Sequence, residues 1–154
     1  MPDSRFHLAQ INISRMLYPI DHPGMAEFVR NLVRVNALAE QNPGFVWRLQ
    51  GDNGNATELS FTDDPMIIIN MSVWTSIETL FGYVYQTDHT AIMRGRKAWF
   101  EKPREPYAAL WWVAAGHLPT PQEGLERLQH LRAQGPNEFA FTFKQRFAPP
   151  ILAA

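Results

Sequence analysis

The amino-acid sequence predicts an α+β fold, a ferredoxin-like split βαβ with an antiparallel sheet and a C-terminal α-β extension. Three observations carry this reading. Apolar periodicity runs in the order β-α-β-β-α-β and then α-β. Capping and breaking residues stand at the ends of the periodic stretches, with 12 prolines spread as punctuation rather than gathered in a linker. Strands two, three and four are apolar at most positions on both faces while helices would cover only one. The second face therefore needs cover, and sheet-to-sheet pairing of two copies is the simplest solution.

Each element has its own signal. Phe6 to Ile13 is apolar and β-prone, with Gln10 and Asn12 as the polar positions on one alternating face. After Tyr18-Pro19 and His22-Pro23-Gly24, the residues Met25, Phe28, Val29, Leu32, Val35, Asn36 and Ala39 recur at three and four. They predict a first helix that ends before Asn42-Pro43-Gly44. Phe45 to Gln50 reads as strand two and Met66 to Trp74 as strand three, an antiparallel pair whose connection begins at Gly51-Asp52-Asn53-Gly54-Asn55. Thr75-Ser76-Ile77-Glu78 has capping-box spacing and starts the second helix, with Ile77, Leu80, Phe81 and Val84 as its buried stripe. Gly95, in the continuation towards Trp99, marks a bend or a close backbone approach. Pro103 and Pro106 bracket a break, and Tyr107 to Ala115 is strand four. Thr120-Pro121-Gln122-Glu123 is a second capping box, with proline at the first helical position, and Gly135-Pro136 stops that third helix after about Ala133. Phe139 to Phe143 alternates as a short fifth strand.

Composition narrows the function classes. The 154 residues suffice for one domain and are short for two, so 1–154 is read as one domain. Lys plus Arg number 14 and Asp plus Glu 15, a net charge of -1 that argues against a chain held to nucleic acid or an anionic membrane by bulk charge. The absence of cysteine removes disulfides, thiol nucleophiles and zinc thiolate sites and fits a reducing compartment. Met1 to Arg5 lacks the basic start and apolar run of a secretory signal, and Met66-Ile67-Ile68-Ile69 is far too short to span a bilayer. A cytoplasmic location without a membrane partner is the expectation. Five Trp, four Tyr and ten Phe on a lightly charged chain call for a dense core, or for an apolar surface covered by a second subunit or a ligand.

Several blocks carry a family resemblance: Leu8-Ala9-Gln10-Ile11-Asn12, Asn36-Ala37-Leu38-Ala39, Pro43 to Leu49, Asn70-Met71-Ser72-Val73-Trp74, Phe81 to Tyr85, and Leu110-Trp111-Trp112-Val113 to His117. From about Phe6 to Phe143 the chain resembles an uncharacterised bacterial domain-of-unknown-function family. That family is similar to the antibiotic-biosynthesis monooxygenases of the dimeric α+β-barrel superfamily. One departure is Ala114, where the family is expected to favour proline. The resemblance implies a dimeric α+β barrel and a homodimer. It implies no single reaction, because that superfamily includes cofactor-free oxygenases, cyclases, isomerases and haem enzymes.

The candidate site residues come from side-chain chemistry. His89, with Tyr85 four residues earlier on the same side of the helix, is the leading catalytic candidate, because a neutral imidazole can move a proton near neutral pH. Its alternative is a helix-terminal histidine complementing the carbonyl end. Gln10, Asn12, Asn70, Ser72 and Arg48 are polar positions within apolar strands. Gln10 with Asn12, and Asn70 with Ser72 and Trp74, share strand faces that could line one cavity. There they could bind a carbonyl or phenolate and stabilise negative charge, or they could simply bond one another across the strands. Asn36 sits on the first helix's stripe and could face the same network. Trp47, Trp74, Trp111 and Trp112 could wall a planar ligand, although some of them must be core or dimer interface because Trp111 and Trp112 point to opposite faces, and His117 stands at a strand end where functional groups are often displayed. His7, His22 and His130 have weaker cases, and Arg94-Gly95-Arg96-Lys97 is a basic cluster that could meet an anionic ligand or an acyl-carrier partner, although a solvated helix face is the better reading. No two histidines stand at i, i+4, and no glycine-rich phosphate motif occurs, so neither a metal nor a permanent cofactor is expected.

Two functions fit. One is a small-molecule enzyme acting on an apolar cyclic or polyketide-like metabolite by acid–base catalysis, as a cofactor-free monooxygenase or a cyclase or isomerase. Catalysis would fall to His89, Tyr85, Asn70 and Arg48, and substrate binding to Gln10, Asn12, Asn36, Ser72, Trp74, Trp111, Trp112 and His117. The other is a non-catalytic ligand-binding or scaffold dimer.

Overall fold

A computed structural model describes residues 5–50, 64–86 and 95–150. The elements are β1 (Phe6–Arg15), a 3-10 turn (Pro23–Met25), α1 (Ala26–Glu40), β2 (Phe45–Arg48), β3 (Ile67–Trp74), α2 (Ile77–Gln86), β4 (Ala108–Ala114) and α3 (Pro121–Gln134). A short helical segment at 95–99 precedes β4. The four strands form an antiparallel sheet in the order β2-β3-β1-β4, the ferredoxin-like arrangement of a split βαβ.

The period of two along β1 sorts its side chains into two layers. Leu8 faces the side covered by α1 and α2, where it packs with Val35, Ala39, Trp74, Leu80, Tyr83 and Leu110. Ala9 and Ile11 face the other side, with Met71, Val73, Trp111 and Val113.

That second side is where the structure departs from the expectation of a bare sheet face. Helix α3 returns across it and packs Leu128 and Leu131 against the apolar layer. The helix comes so close at Gly124 that a Cβ there would lie 2.8 Å from Ile11 Cδ1 and 3.2 Å from Met71 Sδ. Gly124, Leu128 and Leu131 make a narrow buried stripe on an otherwise polar helix, and so weak a pattern hides the face it covers.

Three further differences have local causes. The second helix is capped by Ser76 rather than Thr75: Ser76 Oγ accepts from the Thr79 amide at 3.2 Å, and Thr75 is exposed. At α3 the cap is Thr120, whose Oγ1 accepts from the Glu123 amide at 3.1 Å. Glu123, however, does not complete a capping box, because its carboxylate takes the Trp111 indole N–H at 2.9 Å and meets His117 Nε2 at 2.7 Å. The expected fifth strand at Phe139 to Phe143 is reduced to one bridge between Leu110 and Phe141. There Asn137 Oδ1 accepts from the Phe139 and Ala140 amides, a local turn that competes with strand pairing. Gly135 ends α3 at φ +77, as the Gly135-Pro136 pair implies.

Strand β2 contains the feature that matters most for the cavity. Its register with β3 slips between Phe45 and Trp47, so that Phe45 pairs with Trp74, Trp47 with Val73 and Arg48 with Ser72. In this bulge Val46 and Trp47 both join the α3-side layer. Phe45 and Arg48, three positions apart, consequently both face the α1/α2 side.

If α3 is the cover of the second face, truncating its central anchor is costly. Leu128→Ala is expected to lower stability by about 2–5 kcal/mol, read as a lower urea midpoint with an unchanged slope. An unchanged midpoint would show that α3 does not close this layer.

Candidate functional site

Between the α1/α2 layer and the sheet lies a cavity of about 490 Å3, and eight residues singled out by sequence line it: Gln10, Asn12, Asn36, Arg48, Asn70, Ser72, Trp74 and Tyr85. The sheet register explains the gathering. Gln10 stands opposite Ser72 and Asn12 opposite Asn70, so the four side chains share one patch of the floor.

Their hydrogen bonds decide which groups remain for a ligand. Gln10, only 8% exposed, commits both amide hydrogens, donating to Asn70 Oδ1 at 2.7 Å and Ser72 Oγ at 2.8 Å. Asn12 Nδ2 donates to Gln10 Oε1 at 3.2 Å and to Asn70 Oδ1 at 3.3 Å. Asn70, which lines the cavity, thus accepts twice through its carbonyl, and its Nδ2 has no partner among the described residues. Ser72 Oγ accepts from Gln10 and also from the Trp74 indole N–H at 2.8 Å. With both lone pairs engaged, the Ser72 hydroxyl has only its hydrogen to offer. The floor therefore presents two donors, the Asn70 amide and the Ser72 hydroxyl, beside one acceptor, the Asn12 side-chain carbonyl, which has no partner among the described residues.

The walls are aromatic. Trp74 lies 5.0 Å from the Tyr83 ring at 32° and meets Phe45 edge-on at 5.5 Å. Arg48, its side chain 13% exposed, donates through Nε to Glu40 Oε1 at 2.7 Å and so ties β2 to the end of α1. Tyr85 lines the rim at 47% exposure.

The lining also includes Tyr83, Ser14 and Tyr107, which are not among the sequence candidates, and Arg96 of the basic cluster at 94–97. Tyr83 is buried, donates its hydroxyl to the Val35 carbonyl at 2.8 Å and links α2 to α1. Its phenol is pushed well above the ordinary tyrosine value by burial, while the positive charge of Arg48 acts in the opposite sense. The spacing Ile77, Leu80, Tyr83 marks it as part of the buried stripe, a position that the reading gave to Phe81. Ser14 was missed because β1 runs on past Ile13 to Arg15. Arg96 and Tyr107 reach the cavity from the helical segment 95–99 and from the approach to β4.

Other expectations fall elsewhere. Trp111 points to the opposite sheet face, where its indole N–H donates to Glu123 and its ring is fully buried. Trp112 is on the cavity side of the sheet but is turned to the C-terminal segment, donating to the Phe147 carbonyl at 2.8 Å. His117 is half exposed beside Glu123, away from the cavity. None of these three lines this cavity: Trp111 and Trp112 face opposite ways, and His117 lies beyond the end of β4. His89 lies outside the described residues.

A family model described as "Domain of unknown function (DUF3291)" matches residues 7–153. A search of curated proteins finds no match. Among solved structures, the cofactor-independent oxygenase SnoaB from Streptomyces nogalater is 16% identical, covers 75% of this chain and 97% of its own, and has a TM-score of 0.45. The ActVA-Orf6 monooxygenase of Streptomyces coelicolor, in complex with nanaomycin D, is 14% identical over 77% of this chain and 96% of that one, with a TM-score of 0.45. A conserved protein from Methanosarcina mazei Go1 is 12% identical over 72% and 94%, with a TM-score of 0.48.

The buried phenol gives a pH test of the cavity's integrity. Tyr83 stays neutral in the fold above the ordinary value of 10.0 at which it ionises when unfolded. Its contribution is thus complete below that pH and is lost as pH rises beyond it. Between about pH 10 and 11, wild-type stability is expected to fall by up to about 1.4 kcal/mol more than that of Tyr83→Phe, in urea titrations at successive pH values. Parallel loss in the two proteins would mean that the phenol ionises freely in the fold.

Proposed function

The chain belongs to the DUF3291 family, and on that footing we propose that it is a small-molecule enzyme acting on an apolar cyclic or polyketide-like metabolite by acid–base chemistry without a permanent cofactor. The observation that supports this reading is a pair of donors, Asn70 Nδ2–H and Ser72 O–H, that meet no acceptor among the described residues and belong to residues on the floor of an aromatic-walled cavity. A carbonyl or phenolic oxygen placed on these donors becomes more negative when a neighbouring proton is removed. Fixed neutral donors then stabilise the charge that develops.

In this scheme Gln10 is a positioning residue: its two donated bonds turn the Asn70 amide and the Ser72 hydroxyl towards the ligand. Arg48 adds positive charge at the same end, tempered by its ion pair with Glu40. Proton transfer is assigned to His89 on sequence alone. Removal of the proton leaves an electron-rich substrate that can itself reduce oxygen in a monooxygenase reaction, or rearrange in a cyclase or isomerase reaction.

The test uses hydroxylated polycyclic ketones followed by mass spectrometry. A new product that disappears or slows by roughly 100-fold or more in His89→Ala and Asn70→Ala is expected, the scale of losing a base or an oxyanion donor. Full turnover in both variants would sink the assignment. Ligands returned unchanged by the wild type would favour a binding protein instead.

Two copies are proposed to associate through the β2–β3 part of the second sheet face. Ile13, Val46 and Trp47 remain only partly buried there beside the layer under α3. A dimer at micromolar concentration is expected by light scattering, and a folded monomer would overturn this assembly.

A further inference from the structure

Arg96 enters the cavity in a setting unlike that of Arg48. Its Nη2 donates to Ser14 Oγ at 2.9 Å, and its guanidinium lies 4.4 Å from the Tyr107 ring centroid and 5.3 Å from that of Phe100. The segment bearing it is held close to the core. The buried Trp99 ring folds against Gly95, where a Cβ would lie 2.4 Å from the indole Cη2. A planar cation clamped between a hydroxyl and aromatic faces has a fixed orientation, and Ser14 engages only one of its five N–H donors. Arg48 already pairs with Glu40, whereas no carboxylate among the described residues meets Arg96.

The register sets where this cation stands relative to the donors on the floor. Ser14 is two residues beyond Asn12 on the same face of β1, and Asn12 is directly opposite Asn70. At the rise of an antiparallel strand, the Arg96 anchor is therefore about 7 Å along the sheet from the Asn12–Asn70 pair. The floor and walls near Arg96 are apolar or aromatic, with Ile68, Phe100, Tyr107 and Ala108 among the lining residues. A ligand lying along this line would put an oxygen on the neutral donors at one end, a ring in the middle, and a group suited to a guanidinium fork at the other.

We propose that the cavity takes an aromatic or alicyclic carboxylic acid. Its carboxylate is held by Arg96, and its carbonyl or phenolic oxygen by Asn70 and Ser72. This names the substrate class of the site described above, and it rests on that reading only for which end of the ligand reacts.

The test is equilibrium binding, which requires no turnover. The probes are 6-hydroxy-2-naphthoate and its methyl ester, followed at neutral pH through tryptophan fluorescence, since Trp74 lines the cavity. The acid is expected to bind about tenfold or more tightly than the ester, the size of a charge-assisted hydrogen-bonding contribution. Arg96→Gln should bring the acid down to the level of the ester and leave ester affinity unchanged, which also shows that the variant is folded. Arg96→Lys should keep part of the preference. Equal binding of acid and ester by the wild type, equal loss of both in Arg96→Gln, or no binding of the acid at millimolar concentration would each overturn the proposal. Asn70→Ala should weaken both probes and preserve their ratio. If it changes neither affinity, the donor end of the reading fails and the carboxylate seat stands.

Discussion

A glutamine amide in the middle of an apolar sheet must bond both of its hydrogens, and Gln10 does so sideways, across to β3. That choice propagates. Asn70 and Ser72 become acceptors towards Gln10, so the hydrogens they have left are not used within this network. Asn12 and the Trp74 indole use the remaining acceptor positions. The network leaves the Asn70 amide and the Ser72 hydroxyl as donors on the floor, and in low-dielectric surroundings such donors favour a ligand oxygen that carries or develops negative charge.

The two arginines at this cavity show how context separates equal charges. The β2 bulge rotates Arg48 onto the cavity side, but the same geometry brings it to Glu40, so its field is largely answered within the protein. Arg96 is answered by a hydroxyl and two rings, which orient a guanidinium without neutralising it. The cavity is therefore electrostatically lopsided although the chain as a whole is nearly neutral, with 14 basic and 15 acidic residues.

Much of this was legible in sequence where periodicity is strict. Alternation along Phe6 to Ile13 and Met66 to Trp74 places Gln10, Asn12, Asn70 and Ser72 on coherent faces, and the antiparallel register brings those faces together. Periodicity is silent on three other matters. It does not say that α3 folds back over the second face, because three buried positions on a polar helix leave almost no amphipathic signal. It cannot foresee a bulge, which breaks the alternation that it reads. It also undervalues long side chains such as Arg96, which reach a site from a neighbouring segment rather than standing on its floor. Trp111 and Trp112 face opposite ways, as the two-sidedness of a strand requires, but alternation alone does not say that Trp112 turns to the C-terminal segment rather than to the cavity.

The position of β1 has a consequence for how the chain reaches this state. β1 is an interior strand, and its hydrogen-bonded neighbours are β3 at Ile67–Trp74 and β4 at Ala108–Ala114. Each pairing closes a long loop before any ladder bond rewards it, which slows folding relative to a chain held together by local contacts. During synthesis the first strand made has to wait for β4 before both of its edges are paired. Until then its apolar face and open edge are exposed, a window in which association with other chains competes with completion of the sheet.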